Sequence, residues 1–275
     1  MMKLAKIEWI KFWKRKVSWI LLALIPLLVF VSAKYILQQN QLFSPDTPQY
    51  AVVGNFPVLG LAEMLMTAFN LFIIVIALLM VTEEYRTGAL RMVFIRSHSF
   101  RKIMFAKFLV LLILLLLYLA IYFLTCYGIG YFLFSNPEVY PQFYHQRPFT
   151  FIEGFFYNLK FYGVAFLTLV AISSVIFFIG ILSHTMTSAF GISVGYLLLC
   201  FAYPNFIQLF QPILREETIF KIYFTSIPMI QWEGITLLLA ETPHYKGWIV
   251  LILMSHILLF QLLILFVTRK KDIFI

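Results

Sequence analysis

Long apolar stretches alternate with short polar segments along the chain, and this pattern is its strongest structural signal. An α-helix rises about 1.5 Å per residue, so crossing a hydrocarbon layer of about 30 Å takes roughly 20 apolar residues. Six stretches reach that length, and each predicts a transmembrane helix. The chain thus reads as one all-α membrane domain over residues 1–275. The predicted spans cover approximately residues 17–37, 58–81, 103–134, 161–182, 189–210 and 247–267.

Composition favours a protein whose surroundings are lipid. Hydrophobic residues make up 62% of the chain and charged residues only 12%, about half of the roughly 25% typical of soluble domains. A net charge of +9 would indicate nucleic acid in a soluble protein, but here the basic residues flank the apolar stretches. No nucleic-acid partner is therefore expected. The two cysteines, Cys126 and Cys200, lie within apolar stretches, which argues against a disulfide framework or a metal site.

The lysines and arginines also orient the spans. With the N-terminus inside, the cytoplasmic segments include residues 1–16, 82–107 and 268–275, which hold most of the 21 basic residues. The positive-inside rule is then satisfied with both termini in the cytoplasm.

Residues 1–16 predict an amphipathic helix at the membrane surface. On a helical wheel one side carries Trp9, Phe12 and Trp13, and the lysines lie on the other side. The aromatic side would sit at the headgroup boundary, and the lysines would face anionic lipid or a partner protein. A basic flank that only fixes orientation is the alternative.

Residues 82–102 form the one long cytoplasmic loop of this topology. Two glutamates end the second span, Gly88 interrupts the helix, and Ser97 or Ser99 can cap the next helix. Between them, residues 90–96 are basic and strongly apolar. Such large apolar side chains indicate a loop that docks against another surface.

This loop resembles the first cytoplasmic loop of type-2 ABC transporter permeases. The shared pattern is a glutamate, a glycine four positions later, a basic and apolar stretch, a Ser/Arg turn and an Ala-Lys pair. The family usually has threonine and proline where this chain has Ala89 and His98. The layout of six spans behind a basic N-terminal helix resembles the family over nearly the whole chain. The matching positions are Glu84, Gly88, Ala89, Leu90, Arg91, Ser99, Arg101, Ala106 and Lys107.

The resemblance implies a coupling helix in this loop that docks onto a separate ATPase subunit. It also implies a second permease copy or a paralogue, an ATPase dimer that binds ATP and Mg²⁺, and a bacterial cytoplasmic membrane. This chain itself would then bind no cofactor or metal directly. A salt-linked helix end is the plainer interpretation of the two glutamates. The expected coupling residues are Glu83, Glu84, Arg86, Gly88, Leu90, Arg91, Phe94 and His184.

The segment 211–246 before the last span has three prolines among aromatic and apolar residues. Its apolar tract 235–240 is too short to span, so the segment should dip into the outer leaflet or lie on it. In the resembling family this region forms short re-entrant helices that close an outer gate. The residues implied at the gate are Trp232, Glu233 and Glu241, with a simple outer loop as the alternative.

The resemblance favours an exporter of amphiphilic or hydrophobic cargo, such as a peptide antibiotic, a lipid or a drug, over an enzyme, an ion-coupled transporter or a channel. The chain has no Walker-type phosphate loop, so ATP hydrolysis would belong to a partner and the chain is not expected to be an enzyme. Glu83 and Glu84 resemble the start of the E-E-x-x-x-R signature of CAAX-type proteases, but the position that would be arginine is Gly88. An ion-coupled transporter or channel stays open, although carboxylates are scarce in the spans. Glu63 is the main one, and it either faces a cavity or is solvated near the interface.

Overall fold

A computed structural model describes residues 2–86, 99–183, 185–210 and 214–273, with side chains except at 83–86, 208 and 270–273. In this described part, six helices are long and apolar enough to cross a membrane. The predicted class, an all-α multi-pass membrane protein, is confirmed. We number the helices spans 1 to 6: Lys16–Gln39, Phe56–Thr82, Phe100–Leu133, Phe151–Leu182, Met186–Ile207 and Lys246–Arg269.

Short elements complete the fold. A helix at Met2–Trp13 precedes span 1, and a small antiparallel hairpin, Val139–Tyr140 with Phe149–Thr150, joins spans 3 and 4. The helices of spans 2, 5 and 6 continue to Arg86, Gln208 and Ile273. Span 2 contains a π-helical turn at Leu65–Phe69, and a second one precedes span 6 at Ile230–Gly234. The other helices before span 6 are Glu216–Tyr223, Ile227–Met229 and Ile235–Leu238.

The spans form a bundle with two distinct faces. The terminal face carries the Met2–Trp13 helix and the end of span 6, and the hairpin face carries the Val139–Thr150 hairpin. Spans 2 and 4 pack against each other and are the most buried, whereas spans 5 and 6 expose most of their surface. The apolar surface of the outer spans suits contact with lipid or with another membrane protein.

Local capping residues set the ends of two spans. Span 3 begins after Ser99, whose hydroxyl accepts a hydrogen bond from the Lys102 backbone N–H, as predicted for one of two serines. Span 4 begins at Phe151, well before the predicted residue 161. The reason is a capping box, in which Thr150 accepts from the Glu153 N–H and the Glu153 carboxylate accepts from the Thr150 N–H.

Tyr140 packs the hairpin against the helix bundle. Its ring lies between Gly54, before span 2, and Gly154, in the first turn of span 4, and only 3% of it is exposed. A Cβ atom at either glycine would overlap with the Tyr140 side chain. The two glycines are therefore needed for close approach of the hairpin to spans 2 and 4.

We expect Gly154→Ala to lower the free energy of unfolding by about 1–3 kcal/mol, because the added methyl group overpacks this contact. Thermal unfolding of the purified protein in detergent measures the change. Gly163→Ala is the matched control, since a Cβ there has no neighbour within 4 Å. Tyr140→Phe should recover part of the loss, because the phenolic oxygen is the nearest clashing atom. Equal stability of the two alanine variants would contradict this account.

Candidate functional site on the hairpin face

A cavity of about 370 Å³ lies at the hairpin face. The end of span 1, the start of span 2, the link between them, the hairpin loop and the second π-helical turn form its walls. Its lining combines one carboxylate and two amides with four aromatic rings, and such a mixture of polar and apolar groups is suited to binding a small molecule. The lining residues are Tyr35, Ile36, Gln39, Phe43, Gln49, Leu59, Glu63, Phe143 and Trp232.

Two asparagines fix the link that forms one wall. Asn40 Nδ2 donates to Ala51 O at 2.9 Å, and Ala51 N donates back to Asn40 Oδ1 at 2.8 Å. Asn55 Nδ2 donates to Tyr50 O at 2.9 Å, and its Oδ1 accepts from Val52 N at 2.8 Å. Side-chain amides that pair with backbone N–H and C=O groups in this way satisfy the hydrogen bonding of an irregular segment.

Glu63 is a partly buried lining residue. Leu59, one helical turn earlier, lines the same wall. Of the two interpretations that the sequence allowed, the structure supports a carboxylate that faces a cavity. Within the described ranges, no lysine or arginine forms an ion pair with it.

The three residues predicted at an outer gate lie together against the hairpin loop. Trp232 lines the cavity, and Glu233 Oε1 accepts from the Tyr144 hydroxyl at 3.4 Å. Glu241 N donates to Tyr144 O at 3.2 Å, and its Oε2 accepts from Gln146 N at 3.1 Å. These contacts tie the segment before span 6 to the hairpin. Whether they gate a path stays a prediction.

The hydroxyl of Tyr144 is suited to this contact. Partial burial, and then the negative charge of Glu233, raise the pKa of Tyr144 above its ordinary value. The phenol therefore keeps its proton at physiological pH and donates a hydrogen bond to the Glu233 carboxylate.

A buried polar cluster joins span 2, directly after its π-helical turn, to the second π-helical turn. Asn70 Nδ2 donates to Gln231 Oε1 at 2.8 Å, and Gln231 Nε2 donates to Asn70 Oδ1 at 3.2 Å and to Thr168 Oγ1 at 3.3 Å. All three side chains are 0% exposed. This amide clasp connects spans 2 and 4 to the segment before span 6. π-Helical turns often mark functional sites.

On the terminal face, the N-terminal helix is joined to span 3 by a buried ion pair. Lys107 Nζ lies 2.6 Å from Glu8 Oε2, and their side chains are 1% and 9% exposed. Lys11 Nζ lies 2.9 Å from the other Glu8 oxygen. The guanidinium of Arg15 donates to Leu79 O of span 2 at 2.7 Å. The N-terminal segment 2–15 thus contacts spans 2 and 3 through charged groups.

The aromatic residues of the N-terminal helix do not share one environment. Phe12 is 2% exposed within the bundle, while Trp9 and Trp13 are half-buried. The expectation that Phe12 faces lipid headgroups is corrected, because this side of the helix packs against span 3. Ile7 and Ile10 occupy the exposed side, together with lysines. An interfacial position of the helix stays a prediction.

The predicted coupling residues have no described side-chain contacts. Glu83 and Glu84 belong to the last turns of a helix that ends at Arg86. The other predicted residues lie outside the described part of the chain: Gly88, Leu90, Arg91, Phe94 and His184.

Sequence reasoning missed several residues of these sites. Glu8 is the single acidic residue in a basic segment, a signal that could have marked it as a buried partner. Gln231 stands in an apolar tract, where an amide needs a partner. Gln39 and Gln49 look like ordinary loop residues and carry no such signal. In the described ranges, no three His, Cys, Asp or Glu side chains are grouped as metal ligands.

The match to a known protein family covers almost the entire chain. The family model described as "Protein of unknown function (DUF2705)" matches residues 19–274, from early in span 1 to the C-terminal end. A search of curated proteins gave no match. The match includes all the residues that line the cavity and form the amide clasp. Because it extends over almost the whole chain, the chain belongs to the DUF2705 family of proteins of unknown function.

Proposed function

We propose that this chain is the membrane-spanning permease of a type-2 ABC exporter, driven by a separate ATPase. The observation that carries the proposal is that the N-terminal segment 2–15 contacts spans 2 and 3 on either side of the loop between them, through Glu8 of the N-terminal helix and through Arg15 just after it. In the resembling permeases this loop contacts the ATPase and transmits its conformational change to the spans. A loop that transmits force to the spans needs firm contacts at the helices on both sides of it, and such contacts are present here.

Two contacts provide the anchoring. Arg15 binds the Leu79 carbonyl shortly before the loop, and Glu8 binds Lys107 shortly after it. The N-terminal segment 2–15 therefore contacts both of the helices that flank the loop. A displacement of the loop would move spans 2 and 3 as a unit.

Span 2 connects the loop with the cavity on the hairpin face. At one end its helix continues into the loop as far as Arg86, and towards the other end Glu63 lies on the cavity wall. Between them, Asn70 binds Gln231 of the segment before span 6. Movement of span 2 would therefore change the shape of the cavity. This supports alternating access, in which closure of the ATPases drives cargo outward.

The proposed assembly places this chain with a second permease copy or a paralogue, an ATPase dimer that holds ATP and Mg²⁺, and membrane lipid. It would lie in a bacterial cytoplasmic membrane with both termini inside. The coupling contact would comprise Glu83, Glu84, Arg86, Gly88, Leu90, Arg91, Phe94 and His184. The aromatic cavity rim favours an amphiphilic or hydrophobic cargo, and self-protection from a membrane-active peptide is one such role.

Coupling is tested through the ATPase that co-purifies with the chain in mild detergent. We expect the reconstituted permease to stimulate ATP hydrolysis. Gly88→Pro should reduce that stimulation at least tenfold by distorting the proposed docking helix, and Arg91→Glu should do so by reversing a charge at the proposed contact. Arg215→Glu is the matched control, because Arg215 lies on the opposite face, before the Glu216–Tyr223 helix.

Two results would contradict the proposal. The chain could purify without any ATPase and act alone, or the two loop variants could stimulate hydrolysis as fully as the wild type does.

An ion-coupled carrier is the second candidate, and Glu63 is the observation that favours it. A carboxylate on the wall of a cavity inside a span can bind and release a coupling ion. Such a carrier would transport cargo in liposomes with an ion gradient and no ATPase. A requirement for ATP and a partner would exclude it.

A further inference from the structure

The cavity at the hairpin face has a charge that its own walls do not balance. Glu63 is the one ionisable carboxylate in the lining, and none of the nine lining residues is lysine, arginine or histidine. A carboxylate that is partly shielded from bulk water is stabilised when a positive group accompanies it. A positive group that approaches Glu63 from within the cavity would have to come with a ligand.

The aromatic rings of the cavity suit the same ligand. Tyr35, Phe43 and Trp232 are 48%, 38% and 46% exposed, so their rings are accessible at the rim. Phe143 lies on the hairpin side of the cavity. Ring faces attract cations, and tryptophan does so most strongly. An organic cation would thus contact Glu63 with its charge and the rings with its carbon atoms.

The amides of the lining add hydrogen-bond acceptors. Gln39 Nε2 donates to the Tyr35 hydroxyl at 3.1 Å, so the Gln39 amide offers its oxygen to a ligand. Gln49 is the second amide. One carboxylate and two amides are a sparse ligand set for a dehydrated metal ion, which prefers six or more oxygen atoms. The aromatic walls also favour an organic group.

The volume limits how much of a ligand can enter. A cavity of about 370 Å³ is near the lower end of the range for small-molecule sites. It holds a cationic head group or one cationic side chain with its apolar stem. The remainder of a larger amphiphile would lie outside the cavity.

We propose that this cavity binds the cationic group of an amphiphile, a protonated amine or a quaternary onium group, against Glu63 and the aromatic rim. The binding itself follows from the cavity. Its role as recognition of exported cargo rests on the proposed function.

The test uses the purified full-length chain in a non-ionic detergent and two probes of one shape and opposite charge. Equilibrium dialysis should show saturable binding of tetraphenylphosphonium and no saturable binding of tetraphenylborate. Glu63→Gln should weaken binding of the cation at least tenfold, and Trp232→Leu should weaken it several-fold. Glu138→Gln is the matched control, because Glu138 is exposed just before the hairpin and outside the cavity lining.

Thermal unfolding separates lost binding from lost folding. The cation should raise the unfolding temperature of the wild type and of Glu138→Gln, and should raise that of Glu63→Gln much less at the same concentration. The inference is overturned if Glu63→Gln binds the cation as the wild type does, or if tetraphenylborate competes equally well.

The same proteins distinguish this inference from the proposed function. Cation binding by a chain that never couples to an ATPase would refute the exporter and leave the binding site intact. ATP-driven export by a complex whose permease does not bind the cation would refute the site and leave the exporter intact.

Discussion

Lys107→Met is expected to lower the free energy of unfolding by about 3 kcal/mol, because it leaves the buried Glu8 carboxylate without its closest partner. Loss of one member of a buried ion pair typically costs about 3–5 kcal/mol. We expect the lower end of that range, since Lys11 still contacts the second Glu8 oxygen. Denaturant or thermal unfolding in detergent gives the measurement.

A double variant makes this prediction specific. Glu8→Leu combined with Lys107→Met removes both charges, so it should recover much of the stability that Lys107→Met loses. Lys221→Met is the control, because its ion pair with Glu217 is exposed and should not measurably affect stability. If the double variant is as unstable as the sum of its parts, the orphaned charge is not the cause.

Gln231→Leu is expected to lower the free energy of unfolding by about 1–3 kcal/mol, because Asn70 and Thr168 would lose a buried hydrogen-bonding partner. The effect should also be local. Without the amide clasp the segment before span 6 is held less firmly, so a cysteine at position 232 should react faster with a membrane-impermeant maleimide. The native cysteines, Cys126 and Cys200, are both buried.

The control for the clasp is Asn205→Leu. The Asn205 side chain is exposed and, within the described part of the chain, donates to Phe201 O of its own helix, so its loss should change neither stability nor labelling. Asn70→Leu together with Gln231→Leu should be less unstable than the two single effects added, since neither amide is then left unpaired. Strict additivity would show that the two amides do not act as a pair.

The membrane-spanning architecture was predictable from the sequence for a simple physical reason. A helix in lipid must satisfy its backbone internally and must present apolar side chains for about 20 residues, so each span is visible in one local stretch. Ser99 was predicted as a cap on the same local grounds. The Thr150 and Glu153 pair carries an equally local signal, and reading it would have placed the start of span 4 correctly.

The candidate sites were only partly predictable, because they depend on distant parts of the chain. Glu63 and Trp232 stood out as a charge in a span and an aromatic residue in a broken segment. The pairing of Glu8 with Lys107, and of Asn70 with Gln231, joins residues that only the folded bundle brings together. π-Helical turns have no residue signature in a single sequence, so neither was expected.

The π-helical turn at Leu65–Phe69 determines which way span 2 points its polar groups. In an uninterrupted α-helix, positions 63 and 70 would project in nearly the same direction, only about 20° apart. The wider turn accommodates one additional residue and so rotates everything before it relative to everything after it. One helix can thereby aim Glu63 at the cavity and Asn70 at the protein interior. A relative lacking that single residue would have to give up one of the two orientations.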